Sequence, residues 1–257
     1  DHSDIPEIPA RPPNLCAGCS HRATFYAVKK ATEGMQTIYP TDIGCYTLGF
    51  LPPLSMADFL ICMGSSVSTA SGFSKATDKK VISFIGDSTF FHSGLTGLVN
   101  AVYNNHNFTL VILDNGTTAM TGHQPNPGVD MGNFNLSGYG RISIEAVVRA
   151  IGVEHVTVIK PYKVKKSIEA VKAALDHKGV SVIISQEMCT LYAHGLNQLN
   201  VRAFTVTDKC KNHRDCINQI ACPAFYLDGE RVQINPNSCV GCAVCAQICP
   251  ENAIRPV

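Results

Sequence analysis

Two short apolar runs, each closing on an oxygen-bearing side chain, constrain this chain more than any other feature. Val81 to Ile85 and Thr109 to Leu113 are rich in β-branched and aliphatic residues, the composition of strands buried on both faces. Between them, His92 to Tyr103 has the spacing of a helix. Strand, helix and strand in this order make a right-handed parallel unit, which sets the two strand ends, Asp87 and Asn115, side by side on the carboxyl edge of one sheet. Oxygen ligands so placed suit a hard cation. Magnesium takes octahedral oxygen coordination, usually shared between one or two protein groups and substrate phosphates.

The flanking sequence keeps the same alternation. Helices are expected at Ser20 to Glu33, capped by Ser20, and at Ser66 to Thr77, Ile144 to Ile151 and Val164 to His177. Strands are expected at Gln36 to Tyr39, Ala57 to Cys62, His155 to Ile159 and Val180 to Ser185. The fold class is therefore α/β, a parallel sheet with helices on both faces. Met120 to Gly140, with five glycines and two prolines, breaks the rhythm and is expected to cover the site. Leu191 to Val206 reads as a weakly patterned connector. The expected division is a linker over 1–14, the α/β domain over 15–206 and a small α+β, two-cluster ferredoxin-like domain over 207–257.

In that last part cysteines replace apolar periodicity. Cys239-x2-Cys242-x2-Cys245-x3-Cys249-Pro250 is the bacterial 4Fe-4S run without deviation, and its fourth cysteine serves the other cluster of a pair. Upstream, Cys210, Cys216 and Cys222-Pro223 form an altered run in which His213 stands where the pattern puts its second cysteine. Crossed ligation assigns Cys222, Cys239, Cys242 and Cys245 to one cluster and Cys210, Cys216 and Cys249 to the other. His213 either ligates the fourth iron of the second cluster, leaves it a 3Fe-4S centre, or is a surface loop residue. Between the runs, Ala224 to Ile234 reads as a hairpin turning at Asp228-Gly229. So small a domain has little apolar core, and the clusters stand in for it. Seven of the chain's twelve cysteines lie here, which favours iron–sulfur ligation in a reducing compartment over disulfides. Cys16, Cys19, Cys45 and Cys189 all fall near strand or helix ends at the carboxyl edge, and are either a third cluster's ligands or buried thiols. Cys62 ends an apolar run and reads as core.

Gly86-Asp87-Ser88, 25 intervening residues and then Asp114-Asn115 resemble the signature of the thiamine diphosphate enzymes, in which Gly-Asp-Gly is followed some two dozen residues later by Asn-Asn. Ser88 and Asp114 depart from it. Longer stretches, Leu15 to Arg22, Asp42 to Gly49, Gly86 to Gly94 and Thr117 to Gln124, resemble the 2-oxoacid:ferredoxin oxidoreductases, and among them the α subunits of the indolepyruvate type, over nearly the whole chain. The resemblance implies that Asp87 and the Asn115 amide hold Mg2+ through their side chains and Thr117 through its carbonyl, with Gly86 and Ser88 in the same thiamine diphosphate motif. It implies that Met63, before Gly64, props the cofactor into a bent shape, the alternative being a core methionine. Gly44, Cys45 and the amides after Gly64 are expected to donate to diphosphate oxygens, as helix starts and glycine turns do for anions. His21, His92 and His123 are candidates to polarise the substrate or move protons, against the plainer role of a hydrogen-bonded histidine. Met120 stands where pyruvate-using relatives carry a polar residue, which fits an aryl substrate. Several of these oxidoreductases hold a cluster beside thiamine with cysteines at the places of Cys16, Cys19, Cys45 and Cys189.

The implied reaction is oxidative decarboxylation of an arylpyruvate to its acyl-coenzyme A, with electrons passed through the clusters to ferredoxin. The implied partners are a β subunit and a pyrimidine-binding region or subunit. In the family an N-terminal region of several hundred residues precedes the stretch matched here, and no glutamate of this chain stands in the context of the one that activates the aminopyrimidine. A net charge of +1, with 16% of residues charged, leaves no basic footprint for nucleic acid or an anionic membrane. No apolar run approaches membrane-spanning length and Asp1 to Pro13 is polar and proline-rich, so the expectation is a cytoplasmic protein. The rival reading is a non-catalytic electron-transfer subunit docking to a partner, and between the two stands a non-oxidative thiamine decarboxylase. A pure carrier has no use for Asp87 and Asn115, and a decarboxylase none for the cluster cysteines.

Overall fold

The computed structural model describes residues 12–130, 140–199 and 202–257. Most of the expected linker, residues 1–11, and residues 131–139 of the glycine-rich segment lie outside the described residues. The chain runs through α1 (Ser20–Ala31), β1 (Thr37–Ile38), β2 (Pro40–Thr41), a 3-10 helix at Cys45–Phe50, β3 (Phe59–Leu60), α2 (Ser65–Ala76) and β4 (Lys80–Gly86). Then α3 (Asp87–Thr89), a π turn at Phe90–Gly94 and α4 (Leu95–Tyr103) follow one another without a break and lead to β5 (Thr109–Asp114). After these come α5 (Ile144–Ala150), β6 (His155–Ile159), α6 (Val164–Asp176), β7 (Ser181–Gln186) and α7 (Thr190–Gly195).

Strands β1, β4, β5, β7 and β6, in that order, form a five-stranded sheet in which every pairing is parallel. Period-two alternation explains why the central strands are apolar on both faces, with Ser83 of β4, Thr109 of β5 and Ser181 and Ser185 of β7 as buried polar exceptions. Ile82, Phe84, Val111, Leu113 and Ile183 pack on one face with Phe25 and Val28 of α1 and Val171 of α6. Val81, Ile85, Leu110, Ile112, Val182 and Ile184 pack on the other with Val67 of α2, Leu98 of α4 and Val148 of α5. Each such side chain, fully buried, contributes about 1.5–3 kcal/mol. The register pairs Gly86 with Leu113 and Asp114 with Gln186, so the segments carrying Asp87, Asn115 and Cys189 leave the sheet together at one edge.

The second part comprises β8 (Phe204–Val206), α8 (Asp215–Asn218), β9 (Phe225–Asp228), β10 (Arg231–Ile234), α9 (Val244–Ile248) and β11 (Ile254–Pro256). β9 and β10 form the hairpin, and β8 pairs antiparallel with β11, so the antiparallel frame of this part begins at Phe204. It packs on the first part through Ala23 and Tyr26 of α1, Val164 of α6, Ile220 and Val244.

Several local expectations are corrected. Cys19 rather than Ser20 occupies the N-cap of α1, because the Cys16–Cys19 turn already supplies the helix entry. The Ala57–Cys62 strand shrinks to Phe59–Leu60, paired only with β2, and Phe59, Leu60 and Ile61 are exposed. Cys62 is exposed too, not core. The helix after β4 starts at Asp87, five residues before His92. Leu191 to Val206 is no plain connector, since it holds most of α7 and all of β8. The hairpin turns at Gly229-Glu230, because Asp228 still pairs with Arg231.

Candidate functional site

At the carboxyl edge of the sheet a cleft opens to solvent. His21, Gly44, Cys45, Met63, Gly86, Asp87, Ser88, Asn115, Thr117 and Met120 all line it. They come from the segments after β4 and β5, the start of α1, the start of the 3-10 helix and the turn before α2; the parallel register sets the two strand ends side by side.

Asp87 is 3% exposed. Its Oδ1 accepts from the Ser88 N–H at 2.7 Å and its Oδ2 from the Gly116 N–H at 3.0 Å. Burial, with Asp114 nearby, nevertheless pushes its pKa up to about 7. A buried carboxylate with only backbone donors is expensive to ionise, and a cation beside it relieves that cost. The Asn115 Oδ1 accepts from the Thr117 N–H at 3.2 Å, which leaves it a second lone pair. Asn115 Nδ2 lies 3.4 Å from His21 Nε2. His21 is buried, and burial drops its pKa to about 4, so the ring is neutral and accepts. The buried Asn126 side chain lies near the Asp87 carboxylate and acts to lower its pKa, although its Nδ2 makes no hydrogen bond of normal geometry. Hard oxygens from Asp87, Asn115 and the Thr117 carbonyl are a donor set that fits magnesium. Among the described residues no three His, Cys, Asp or Glu side chains converge on a single-ion site, and this set does not require them to.

Asp42, given no role by the sequence reading, organises the opposite wall. Wholly buried, it accepts from the Tyr46 hydroxyl, from the Gly64 N–H at 3.1 Å and from the Ser66 N–H at 3.3 Å. The amides expected after Gly64 to meet a diphosphate are therefore engaged within the protein, Ser66 by Asp42 and Ser65 by the Cys62 carbonyl. Gly44 N–H is engaged by Thr47 Oγ1 at 3.1 Å, while Cys45 and Tyr46, opening the 3-10 helix, have N–H groups with no intrahelical acceptor. The Tyr46 ring lies so close to Gly86 that a Cβ there would sit 2.7 Å from Cε1. Met63 is 41% exposed and Met120 49% exposed on the cleft rim, which is not the environment of a core methionine.

Two expected histidines are not in the cleft lining. The π turn carries His92 to the surface, where its Nδ1 meets Ser93 Oγ at 3.0 Å. His123, at φ +66°, stacks on Tyr192 with centroids 5.7 Å apart.

The cysteines fall into groups. Cys222, Cys239, Cys242 and Cys245 line one cavity of about 500 Å3, together with Cys19. Cys210, Cys216, Cys249 and His213 line another, of about 390 Å3. This is the division that crossed ligation expects. Within each group the thiols act on one another electrostatically, and burial first, then the neighbouring thiols, pushes Cys242 up to about 11 and Cys245 higher. His213 Nε2 is 3.0 Å from Glu251 Oε1, which leaves Nδ1 for a metal. Beside the cleft, Cys45 is pushed up to about 11 by burial, then by Cys189 and Cys16. The Cys189 N–H donates to the Asn115 carbonyl at 2.9 Å and Thr190 Oγ1 to the Ala17 carbonyl at 3.3 Å, tying the three segments together. Burial pushes Cys19 up to about 12, while Cys16 is exposed. No helix among the described residues is long and apolar enough to cross a membrane.

Comparison with known proteins gives a consistent picture. The family described as thiamine pyrophosphate enzyme, C-terminal TPP binding domain, matches residues 42–185, and the 4Fe-4S binding domain matches residues 232–255. The chain is 49% identical to indolepyruvate oxidoreductase subunit IorA of Methanothermobacter thermautotrophicus, over 98% of this chain and 41% of that protein. It is 46% identical to the subunit of the same name from Archaeoglobus fulgidus, over 97% of this chain and 40% of that protein. The chain thus spans about two-fifths of the length of the relatives it matches. Among solved structures, a 2-oxoglutarate:ferredoxin oxidoreductase from Magnetococcus marinus, with 2-oxoglutarate, coenzyme A and succinyl-CoA bound, superposes with a TM-score of 0.62 at 21% identity, over 70% of this chain and 66% of that one. A thiamine diphosphate-dependent 4-hydroxybenzoylformate decarboxylase from Rhodococcus jostii gives 0.50 at 21% identity, over 74% and 37%.

Proposed function

The chain belongs to the thiamine pyrophosphate enzyme family, and from that premise we propose that it is the cofactor- and cluster-binding part of a 2-oxoacid:ferredoxin oxidoreductase of the indolepyruvate type. One observation carries this reading: a carboxylate buried at the sheet's carboxyl edge lines a cleft together with Cys45, in a chain that groups seven further cysteines and His213 around two other cavities, with Cys19 at the first. Neither a pure electron carrier nor a non-oxidative decarboxylase needs both.

In this reading Asp87, Asn115 and Thr117 hold magnesium and, through it, the diphosphate of thiamine diphosphate. When bound, that cofactor supplies the carbon nucleophile for decarboxylating a 2-oxoacid. The chain's own residues bind and orient. Asp42 clamps Tyr46 and the Gly64 turn so that Met63 stands at the rim. His21, neutral above about pH 4, orients the Asn115 carboxamide through its ring nitrogen. Met120 presents an apolar side chain to an aryl substrate. The set Cys222, Cys239, Cys242 and Cys245, the set Cys210, Cys216, Cys249 and His213, and a third set of Cys16, Cys19, Cys45 and Cys189 would each hold an iron–sulfur cluster, which would supply one-electron transfer when bound. Arylpyruvate and coenzyme A as substrates, ferredoxin as acceptor, a β subunit, a pyrimidine-binding region or subunit, the division of the chain at residue 14 and, moved from 206 to keep β8 with its partner β11, before Phe204, and a cytoplasmic location complete the proposal.

Measuring thiamine diphosphate, magnesium and iron per chain in the anaerobically purified protein tests it. About twelve irons are expected with three full clusters and about eight with two, at four irons each. Protein that binds iron but no thiamine diphosphate in the presence of magnesium would leave the electron-carrier reading standing instead.

A further inference from the structure

Arg22 is 2% exposed, and it forms no ion pair with a carboxylate among the described residues. Its guanidinium reaches across to the second part of the molecule. Nη1 donates to the Ile220 carbonyl at 2.6 Å and to the Ala221 carbonyl at 2.7 Å, while Nη2 donates to the Leu15 carbonyl and to Asn14 Oδ1 at 3.2 Å. Nε is buried with no partner. Neutral acceptors satisfy donors but do not neutralise a charge, and a buried cation without an anion is costly. The groups that act on Arg22 electrostatically are four thiols, Cys222 most, then Cys19, Cys16 and Cys242. Two belong to the set beside the cleft and two to the ferredoxin-like set. Arg22 also lines the cavity bounded by Cys222, Cys239, Cys242 and Cys245. It does not line the cavity of Cys210, Cys216 and Cys249.

We propose that Arg22 is a buried counter-ion shared by two iron–sulfur sites, the one held by Cys222, Cys239, Cys242 and Cys245 and the one held by Cys16, Cys19, Cys45 and Cys189. This rests on the reading that both sets hold clusters. Thiolate-ligated clusters supply the negative charge that Arg22 lacks in the polypeptide, and each becomes more negative on reduction. A fixed positive charge between them favours the reduced form of both, so Arg22 raises both potentials together. A neutral residue able to donate to the same carbonyls would join the two parts of the molecule equally well. The charge is what the redox role requires.

The test is a paramagnetic-resonance-monitored redox titration of the complete, anaerobically purified protein and its Arg22→Met, Arg22→Gln and Arg22→Lys variants, with iron counted in each. In the neutral variants the reduction equilibrium of the two adjacent clusters should move at least tenfold toward the oxidised form, about 59 mV for one electron. The cluster of Cys210, Cys216 and Cys249 should stay where it is, and Arg22→Lys should recover most of the shift. Iron-replete neutral variants with parental potentials would overturn the proposal, as would a lysine variant shifted as far as the neutral ones. If neither neutral variant retains iron, the lysine variant decides: retained clusters near parental potential support the charge role, and lost clusters overturn it in favour of simple anchoring. Parent protein without iron at these sites would instead overturn the reading beneath the proposal.

Discussion

Replacing Asp87 by asparagine should separate the cost of the site from its use. Burial, then Asp114, lifts the Asp87 pKa from 3.8 to about 7. Roughly three units at 1.36 kcal/mol each amount to about 4 kcal/mol against the ionised form. An acid whose pKa is raised on folding holds its proton more tightly in the folded state. Its contribution to stability is therefore complete below about pH 3.8, falls as pH rises, and is lost above about pH 7. A cation in the cleft reverses this, because it favours the ionised carboxylate. Asparagine removes the titration but sacrifices one charge-assisted bond, from the Ser88 or the Gly116 N–H, worth about 1.5–3 kcal/mol. The bonds from Ser88 and Gly116 are already counted in the shifted pKa, so at pH 8, without metal, Asp87→Asn should be more stable than the parent by up to about 4 kcal/mol in urea denaturation. The parent's decline between about pH 4 and 7 should disappear in the variant. Magnesium with thiamine diphosphate should invert the order, stabilising the parent by mass action and the variant little. A variant less stable than the parent without metal, or stabilised as much by the cofactor, would refute the reasoning.

Three further outcomes are expected. If His213 ligates the cluster of Cys210, Cys216 and Cys249, His213→Cys replaces an imidazole ligand by an anionic thiolate, so that cluster should fall in potential and change its resonance signal; identical signals and potentials in both proteins would remove His213 from the cluster. Gly64→Ala must hold φ near +82° with its Cβ 2.1 Å from Ser93 Oγ, so it should lose at least about 1–2 kcal/mol in chemical denaturation, and an unmoved midpoint would count against a rigid Gly64 turn. The stacked His155 and His177 rings, 5.3 Å apart, lower the His155 pKa, by burial first and then by His177. A base so depressed contributes stability above its unfolded value of 6.5 that is lost as pH falls, so His155→Gln should flatten the acid side of the stability profile; matching slopes below pH 6.5 would show that the pair does not titrate in this way.

The sheet was legible because its information is local. A strand buried on both faces has to be apolar at every position, and Leu110 to Leu113 declares this without reference to the rest of the chain. The same apolarity misled at Phe59 to Cys62, where the run lies outward beside a two-residue strand. Composition records that a segment is apolar but not what covers it. Cap positions failed for a related reason, since a Cys-x2-Cys turn can enter a helix without a side-chain cap and Ser20 is then free to be its first residue.

The site divides along the same line. Asp87, Asn115 and Thr117 could be placed from sequence because strand ends in a parallel unit are fixed by the backbone. Asp42 and Arg22 could not, because what each does depends on burial created by distant segments. Asp42 holds the turn at Gly64, 22 residues on, and Arg22 holds a carbonyl 198 residues on. Both are charged side chains carrying out, through backbone atoms, work whose partners have no side-chain signature. The amides expected after Gly64 to bind an anion show the consequence. An anion does meet them, but it is the protein's own Asp42 carboxylate, which accepts from Gly64 and Ser66 and from Tyr46. The glycine turn is thereby fixed before any ligand arrives, and the backbone N–H groups of Cys45 and Tyr46, which line the cleft, have no acceptor within their own helix. A preformed wall of this kind lowers the ordering cost of binding.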